Sequence, residues 1–555
     1  MTNYRVSKSR SLRAALLTGA AAMLLTSVPA VAQSTQGESE AGTLKEIVVV
    51  GSRLRRDVFN SPSPIQVINR DESVLAGLTT TGDLLQSSGV TSGSSQLNNA
   101  FGGFVTNGGP GANSVSLRGL GAGRTLVLIN GRRVTPSGTR GALEAADLNV
   151  LPNAIVERVE ILRDGASSVY GSDAVAGVVN VVTQQDLDGV TVEGKFTRPF
   201  DEGGEEARAS IVGGTKGDRW RVAGSFEYLE KKAITLADRD WTQCNLDYRF
   251  NRATGVTTDY IDPITGKPKC YPVTTTYGSN GVTINTLGTA SIAGIGAAGS
   301  VSPGASSTFN RWRPNSAITT GLSGFEGVGG GANNINVRDT FDPRTLNRGI
   351  LSPVKTYNVF AQGSYELDED GAAELYGEFL YNRRESSQVG YRQLSLDYPH
   401  LSPLVPANLQ GKGAAFGSLL HTGPGLRAFV GFGNDRSEQE VDFYKSTAGV
   451  RGDITFLPDW KYDLNGTYSK SKGSYAQQSF LTDKLSNSVN VVAAPAGVSA
   501  SLVRPGANGA GVVCAVTLTN PGENCIPAPV LSSQTIGGVL PQDWVATSTI
   551  HLPDG

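Results

Sequence analysis

From residue 187 onward, apolar and polar positions alternate with a period of two. In residues 460–469, Trp460, Tyr462, Leu464, Gly466 and Tyr468 share one face, and Lys461, Asp463, Asn465, Thr467 and Ser469 share the other. Successive side chains of a strand point to opposite faces, so the pattern predicts a strand with lipid on one side and water on the other. The same alternation runs through 190–196, 207–215, 220–228, 357–365, 374–382 and 441–451. Each is close to the roughly 10 residues that a tilted spanning strand needs. The connections 216–219, 367–372 and 452–459 are short, whereas 229–354, 383–440 and 470–555 are long. That parity matches periplasmic turns and extracellular loops, and it argues against a soluble β-sandwich.

The segment before residue 187 follows other rules. Arg5, Lys8, Arg10 and Arg13 precede an apolar run from Ala14 to Leu25, and Ala30-Val31-Ala32 precedes Gln33, so 1–32 is expected to be a signal peptide. The run is shorter than the roughly 20 residues of a membrane-crossing helix. Residues 33–56 are expected to be a flexible tether. It contains Glu46, Ile47, Val48, Val49, Val50 and Gly51, a β-branched stretch that suits either addition to another protein's sheet edge or an ordinary first strand. Residues 57–185 read as a mixed α+β domain: strands over 64–70, 114–118, 125–129 and 156–162, a helix capped by Asp71, and another opening at Thr81. Asn130-Gly131 is a tight turn, and 98–113 and 136–144 are glycine-rich loops.

Composition narrows the chemistry. Lys+Arg 48 against Asp+Glu 50 gives a net charge of −2, so nothing points to nucleic acid. Three His and four Cys are too few for several metal centres, and no metal or cofactor is expected. No nucleophile elbow, zinc-protease motif or phosphate loop is present, so no enzymatic activity is expected.

Several motifs carry a specific resemblance. SVSLRGLGAGRTLVLINGRR at 114–133 and IVERVEILRDGASSVYGSDAVAGVVN at 155–180 resemble the plug signatures of TonB-dependent outer-membrane receptors. PIQVIN at 64–69, LLQSSGV at 84–90 and EIVVVG at 46–51 fall in the same family order. The resemblance implies an all-β transmembrane antiparallel barrel, 186–555, with an N-terminal α+β plug, and it makes Glu46 to Gly51 the TonB box. It also implies that plug arginines Arg118 and Arg158 pair with barrel carboxylates. Arg118, Arg158, Glu160 and Arg163 are thus expected to fasten plug to barrel rather than bind an anionic ligand.

The apical loops, with Asn107, Asn113 and Arg140, are the expected ligand contacts. Cys244 with Cys270, and Cys514 with Cys525, are the natural disulfide pairs of an oxidising compartment. Plugged transporters have about 22 strands, whereas seven are found by Ser469 and the chain ends on a polar turn at 551–555; a truncated receptor is expected. The implied function is TonB-dependent import of a ferric siderophore or carbohydrate across the outer membrane of a Gram-negative cell. A passive porin and a surface ligand-binding receptor are the alternatives, and the partners are TonB, a small solute and outer-membrane lipid.

Overall fold

The strand predicted over 64–70 forms as β1 (Ile65–Asn69), and Asn69 leads directly into α1 (Arg70–Leu75). Asp71 therefore lies inside the first turn, where its charge still complements the helix dipole, rather than at the cap. Thr80 caps α2 (Thr81–Ser87) by accepting the Asp83 N–H at 3.1 Å. In this computed structural model the described residues are 64–78, 80–91, 110–137, 145–243, 249–258, 284–287, 309–314, 325–327, 343–367, 373–399, 401–407, 425–454, 456–457, 460–532 and 547–553. All belong to the second of two compact units, 49–555. The expected signal peptide, tether and TonB box lie outside the described residues, as do Asn107, Arg140, Cys244 and Cys270.

The plug sheet continues with β2 (Thr125–Ile129), β3 (Arg132–Arg133) and β4 (Val156–Leu162), then α3 (Ser167–Tyr170) and β5 (Gly177–Thr183), in the order β1-β4-β5-β2-β3. Asn130 and Gly131 both take positive φ, 49° and 77°, which makes the β2–β3 hairpin turn tight. Strand β5 was not expected. It pairs parallel to β2 and is buried on both faces, so its Val178, Val179 and Val181 lack the alternation that marks a half-exposed strand. Residues 114–118, expected as a strand, join no ladder. Residues 114–117 lie buried across the core, with the Leu117 N–H donating to Thr125 Oγ1 at 3.1 Å, and the exposed Arg118 follows in the left-handed region at φ 55°.

The wall opens with β6 (Gly189–Thr197), β7 (Glu206–Lys216) and β8 (Trp220–Lys231). Short elements follow: β9 (Ile234–Thr235), α4 (Asp240–Gln243), β10 (Arg249–Asn251), β11 (Val256–Thr258), β12 (Ile284–Leu287), β13 (Phe309–Pro314), β14 (Phe325–Gly327) and β15 (Gly349–Leu351). It resumes with β16 (Val354–Glu366), β17 (Ala373–Pro399), β18 (Gly425–Asp453) and β19 (Lys461–Phe480). These long strands make an antiparallel sheet ordered β6-β7-β8-β16-β17-β18-β19, which is not closed among the described residues. All seven predicted strands are present.

Their outer face is an apolar band between two aromatic rows. Trp220, Tyr365 and Trp460 mark one edge; Tyr228 opposite Tyr357, and Tyr381 opposite Tyr444, mark the other. Val222, Phe226, Leu375, Phe379, Leu464 and Tyr468 are exposed between them, as a lipid-facing girdle requires. No described helix is long and apolar enough to cross a membrane.

The expected loops 383–440 and 470–555 need correction. β17 and β18 are 27 and 29 residues long, so 383–399 and 425–440 continue the ladder well past the bilayer. Pairing pays for strand outside the membrane as readily as within it, a length that the spanning requirement does not reveal. Beyond β19, α5 (Thr482–Val489), β20 (Val491–Ala493), β21 (Arg504–Pro505), β22 (Gly511–Cys514) and α6 (Ala515–Thr519) form a small cap with a three-stranded sheet. The Cys514–Cys525 disulfide closes it. Its apolar core is shared with Leu394, Leu396, Tyr398 and Ala428 on the inward face of the projecting β17–β18 hairpin. The expected polar turn at 551–555 is, over its described part, the end of β23 (Thr547–Pro553). His551 there pairs with Ala476 of β19.

Candidate functional site at the plug seat

The plug's core does not stop at its own surface. Val212, Ala223, Phe360, Leu380 and Phe443, inward residues of β7, β8, β16, β17 and β18, belong to the same buried cluster as Leu85, Leu117, Ile129 and Ile161 of the plug. Alternation puts them there: each is one residue out of phase with the lipid-facing set. Around this apolar contact lie three polar fastenings.

The first holds plug residues 110–113 and 147–151. Arg384 of β17 pairs with Asp147 at 2.8 Å, the side chains being 1% and 2% exposed. Arg384 Nη1 also donates to Pro110 O at 3.0 Å, and Ser386 Oγ donates to the same carbonyl at 2.6 Å. Asp147 Oδ1 accepts from the Asn113 and Asn149 N–H groups, both at 3.1 Å. Asn358 and Asn382 donate to the Val150 and Asn149 carbonyls, each at 3.0 Å. Gly111 is required here, since its φ is 77° and a Cβ would stand 2.6 Å from Ser386 Cβ. Arg384 Nη2 has no hydrogen-bond partner among the described residues.

The second fastening is the β2–β3 hairpin. Arg132 pairs with Glu378 of β17 at 3.2 Å and Asp463 of β19 at 3.5 Å, and its guanidinium lies 4.4 Å from the Tyr376 ring centroid. Asn130 Nδ2 donates to Glu378 Oε1 at 2.8 Å. The positive-φ turn pushes this hairpin tip beyond the sheet edge, which is how Arg132 reaches two wall strands.

The third lies along β6–β8. Arg70 pairs with Glu193 at 2.7 Å, Lys231 with Asp83 and Glu206, each at 3.0 Å, and Asn153 Nδ2 donates to Glu227 at 3.1 Å.

The arginines singled out in the sequence take other places. Arg158 pairs with Glu157 at 3.1 Å and Glu160 at 3.0 Å, inside the plug, and Glu160 accepts from Asn180 of β5 at 3.1 Å. β4 is an interior strand of the plug sheet, so residues two apart meet each other before they meet the wall. Arg118 donates to the Val175 and Ala176 carbonyls at 2.9 and 3.2 Å, and Arg163 is exposed. The expected plug-to-barrel pairing thus falls to Arg70, Asp83, Arg132 and Asp147. Asn113 is buried, its side chain accepting from Gln86 and its carbonyl from the Leu148 N–H at 2.7 Å. No described group of His, Cys, Asp and Glu is arranged to hold a metal ion.

Residues 57–178 match the family described as TonB-dependent Receptor Plug Domain. Among solved structures, the siderophore receptor PirA of Acinetobacter baumannii is 13% identical, over 78% of this chain and 50% of that one, with a TM-score of 0.31. The ferric enterobactin receptor of Pseudomonas aeruginosa is 12% identical over 75% and 55%, with a TM-score of 0.29. The ferric preacinetobactin receptor BauA of A. baumannii is 11% identical over 76% and 48%, with a TM-score of 0.31. The chain spans about half the length of each of these receptors. Residues 57–178 are thus a plug domain of the kind found in TonB-dependent receptors, seated on the inward face of an antiparallel wall.

Proposed function

We propose that this protein imports a scarce solute, a ferric siderophore or a carbohydrate, across the outer membrane, with energy delivered by TonB through Glu46 to Gly51. One observation supports this reading above the rest: among the described residues, the plug is fastened to the wall by side-chain ion pairs and amide contacts rather than by a continuous backbone ladder. Such fastenings can be broken and remade without unfolding the wall, as a solute-gated, energy-driven plug needs. Solute on the apical side would bias the box toward TonB, which adds it as a strand and draws on the inner-membrane proton gradient.

A passive porin is the competing class, and it has no use for an energy box. The deciding experiment deletes residues 46–51 and measures growth on limiting iron or on a glycan as sole carbon source. Loss of growth with the receptor still in the outer membrane supports import. Undiminished growth of the deletion strain rejects it.

A further inference from the structure

Among the described residues, every hydrogen bond that Glu378 of β17 makes with its side chain comes from the plug. Its Oε1 accepts from Asn130 Nδ2 at 2.8 Å and from Arg132 Nη1 at 3.2 Å, and its Oε2 is buried with no partner. Asp463, the other carboxylate beside Arg132, stands differently. It is exposed to solvent, and it also accepts from the Tyr376 hydroxyl of the wall itself. Withdrawal of the β2–β3 hairpin therefore leaves Asp463 solvated and hydrogen-bonded but strips Glu378 of both donors. A buried carboxylate without a counter-charge is costly, so release is opposed at this residue above all.

The wall holds a second cation within reach. Lys445 of β18 lies opposite Leu380, and Thr447 lies opposite Glu378, so Lys445 and Glu378 are diagonal neighbours on the inward face. Such positions are roughly 7–8 Å apart, which a long side chain can span. The β19 neighbour of Lys445, Ser469, is hydrogen-bonded to Thr135 of the plug at 3.0 Å, so the plug lies over this spot. Lys445 is 3% exposed and makes no ion pair or side-chain hydrogen bond among the described residues. The charges that act on it are Glu378, attractively, and Arg132, repulsively.

For the seated plug alone, an unpaired ammonium buried beside a guanidinium is a poor arrangement, because it is desolvated and it repels Arg132. It becomes useful once Arg132 has left. We infer that Lys445 is the exchange partner of Glu378: it pairs with the carboxylate when the hairpin unseats and yields it when Arg132 returns, so the second fastening opens without a bare charge on the wall. The inference rests on the import reading and adds to it a residue that eases plug release.

Thr447 supplies the readout, since it is buried opposite Glu378. The full chain carrying Thr447→Cys, purified in detergent, is treated with a water-soluble maleimide, which reaches the new thiol when the hairpin lifts; the chain without that thiol gives the background. Adding Lys445→Met should slow labelling by roughly three- to tenfold, because the seated hairpin loses a repulsive neighbour and the unseated wall loses the partner of Glu378. In a Glu378→Gln background the same substitution should slow it less, since no carboxylate is then left bare. A thermal melt checks that all variants fold. Faster labelling would make Lys445 part of what holds the hairpin down, and an unchanged rate, or equal slowing in both backgrounds, would remove the exchange; each overturns the inference. Labelling needs neither TonB nor solute. Uptake that survives deletion of residues 46–51 therefore rejects import while leaving the labelling result intact, and a failed labelling prediction leaves import standing.

Discussion

Arg384 on the wall and Asp147 on the plug face each other at 2.8 Å in a place that excludes water almost completely. Their attraction must offset the desolvation of two charges, and it does so with help from Pro110 O, Asn113 and Asn149. The pair is therefore less a source of stability than a constraint on where the plug's 110–113 and 147–151 segments sit.

That distinction can be measured. Arg384→Met or Asp147→Leu alone leaves one buried charge without its partner and should cost about 3–5 kcal/mol of local stability. The double variant should recover much of the loss, because no orphan charge remains. Hydrogen exchange over 145–155 in the solubilised receptor reads this directly. A double variant as unprotected as the worse single one would show that the pair stabilises in its own right.

Arg132 is a second hub, and its geometry is not one that lysine can reproduce. A planar guanidinium reaches Glu378 and Asp463 together while lying over Tyr376, whereas an ammonium is a point charge on a shorter reach. Arg132→Lys should loosen the β2–β3 hairpin by about 1–2 kcal/mol. Faster exchange confined to 125–134, with β6–β8 unchanged, is the expected signature. Equal protection in the two proteins would mean that the hairpin is held by Asn130 and the apolar core alone.

These hubs show which parts of the molecule were legible in the sequence. Wall strands with one face in lipid announce themselves by alternation, and the short separations between β7 and β8, β16 and β17, and β18 and β19 follow the reading of the sequence to within two residues. Strand β5 was hidden because a strand covered on both faces does not alternate. The fastening residues were hidden for a different reason. Arg158 and Arg132 both sit in signature motifs, but only the topology says that β4 is interior and that the Asn130-Gly131 turn projects from the edge. Asp147 carries no local mark at all; its role is set by Arg384, 237 positions away in a different domain.

The cap is held by a disulfide as well as by its small core. Cys514 and Cys525 close a loop with a separation of 11 residues, for which chain entropy gives about 3 kcal/mol. Replacing both with Ala should collapse exchange protection over 491–514 while leaving the plug and the membrane part of the wall as they were. Unaltered protection in the cap would assign its stability to the cluster around Leu404, Val491 and Leu531 instead.

Tyr398 gives the cap a pH limit. Its ring is fully buried in the cap's core and its hydroxyl donates to Pro529 O at 3.0 Å. Burial pushes its phenol well above the ordinary tyrosine value. A folded-state pKa above the unfolded one contributes stability that is complete below the unfolded value, about 10, and that drains away as pH rises toward the folded value. Cap seating should therefore be constant through neutral pH and weaken above about pH 10. Tyr398→Phe should lose about 1 kcal/mol for the missing hydrogen bond and become flatter with pH. Spin labels at Leu401 and Leu518, both exposed, report the cap-to-hairpin distance. The distribution should broaden at alkaline pH with Tyr398 present and stay narrow with Phe, and identical broadening in both would remove the phenol from the account.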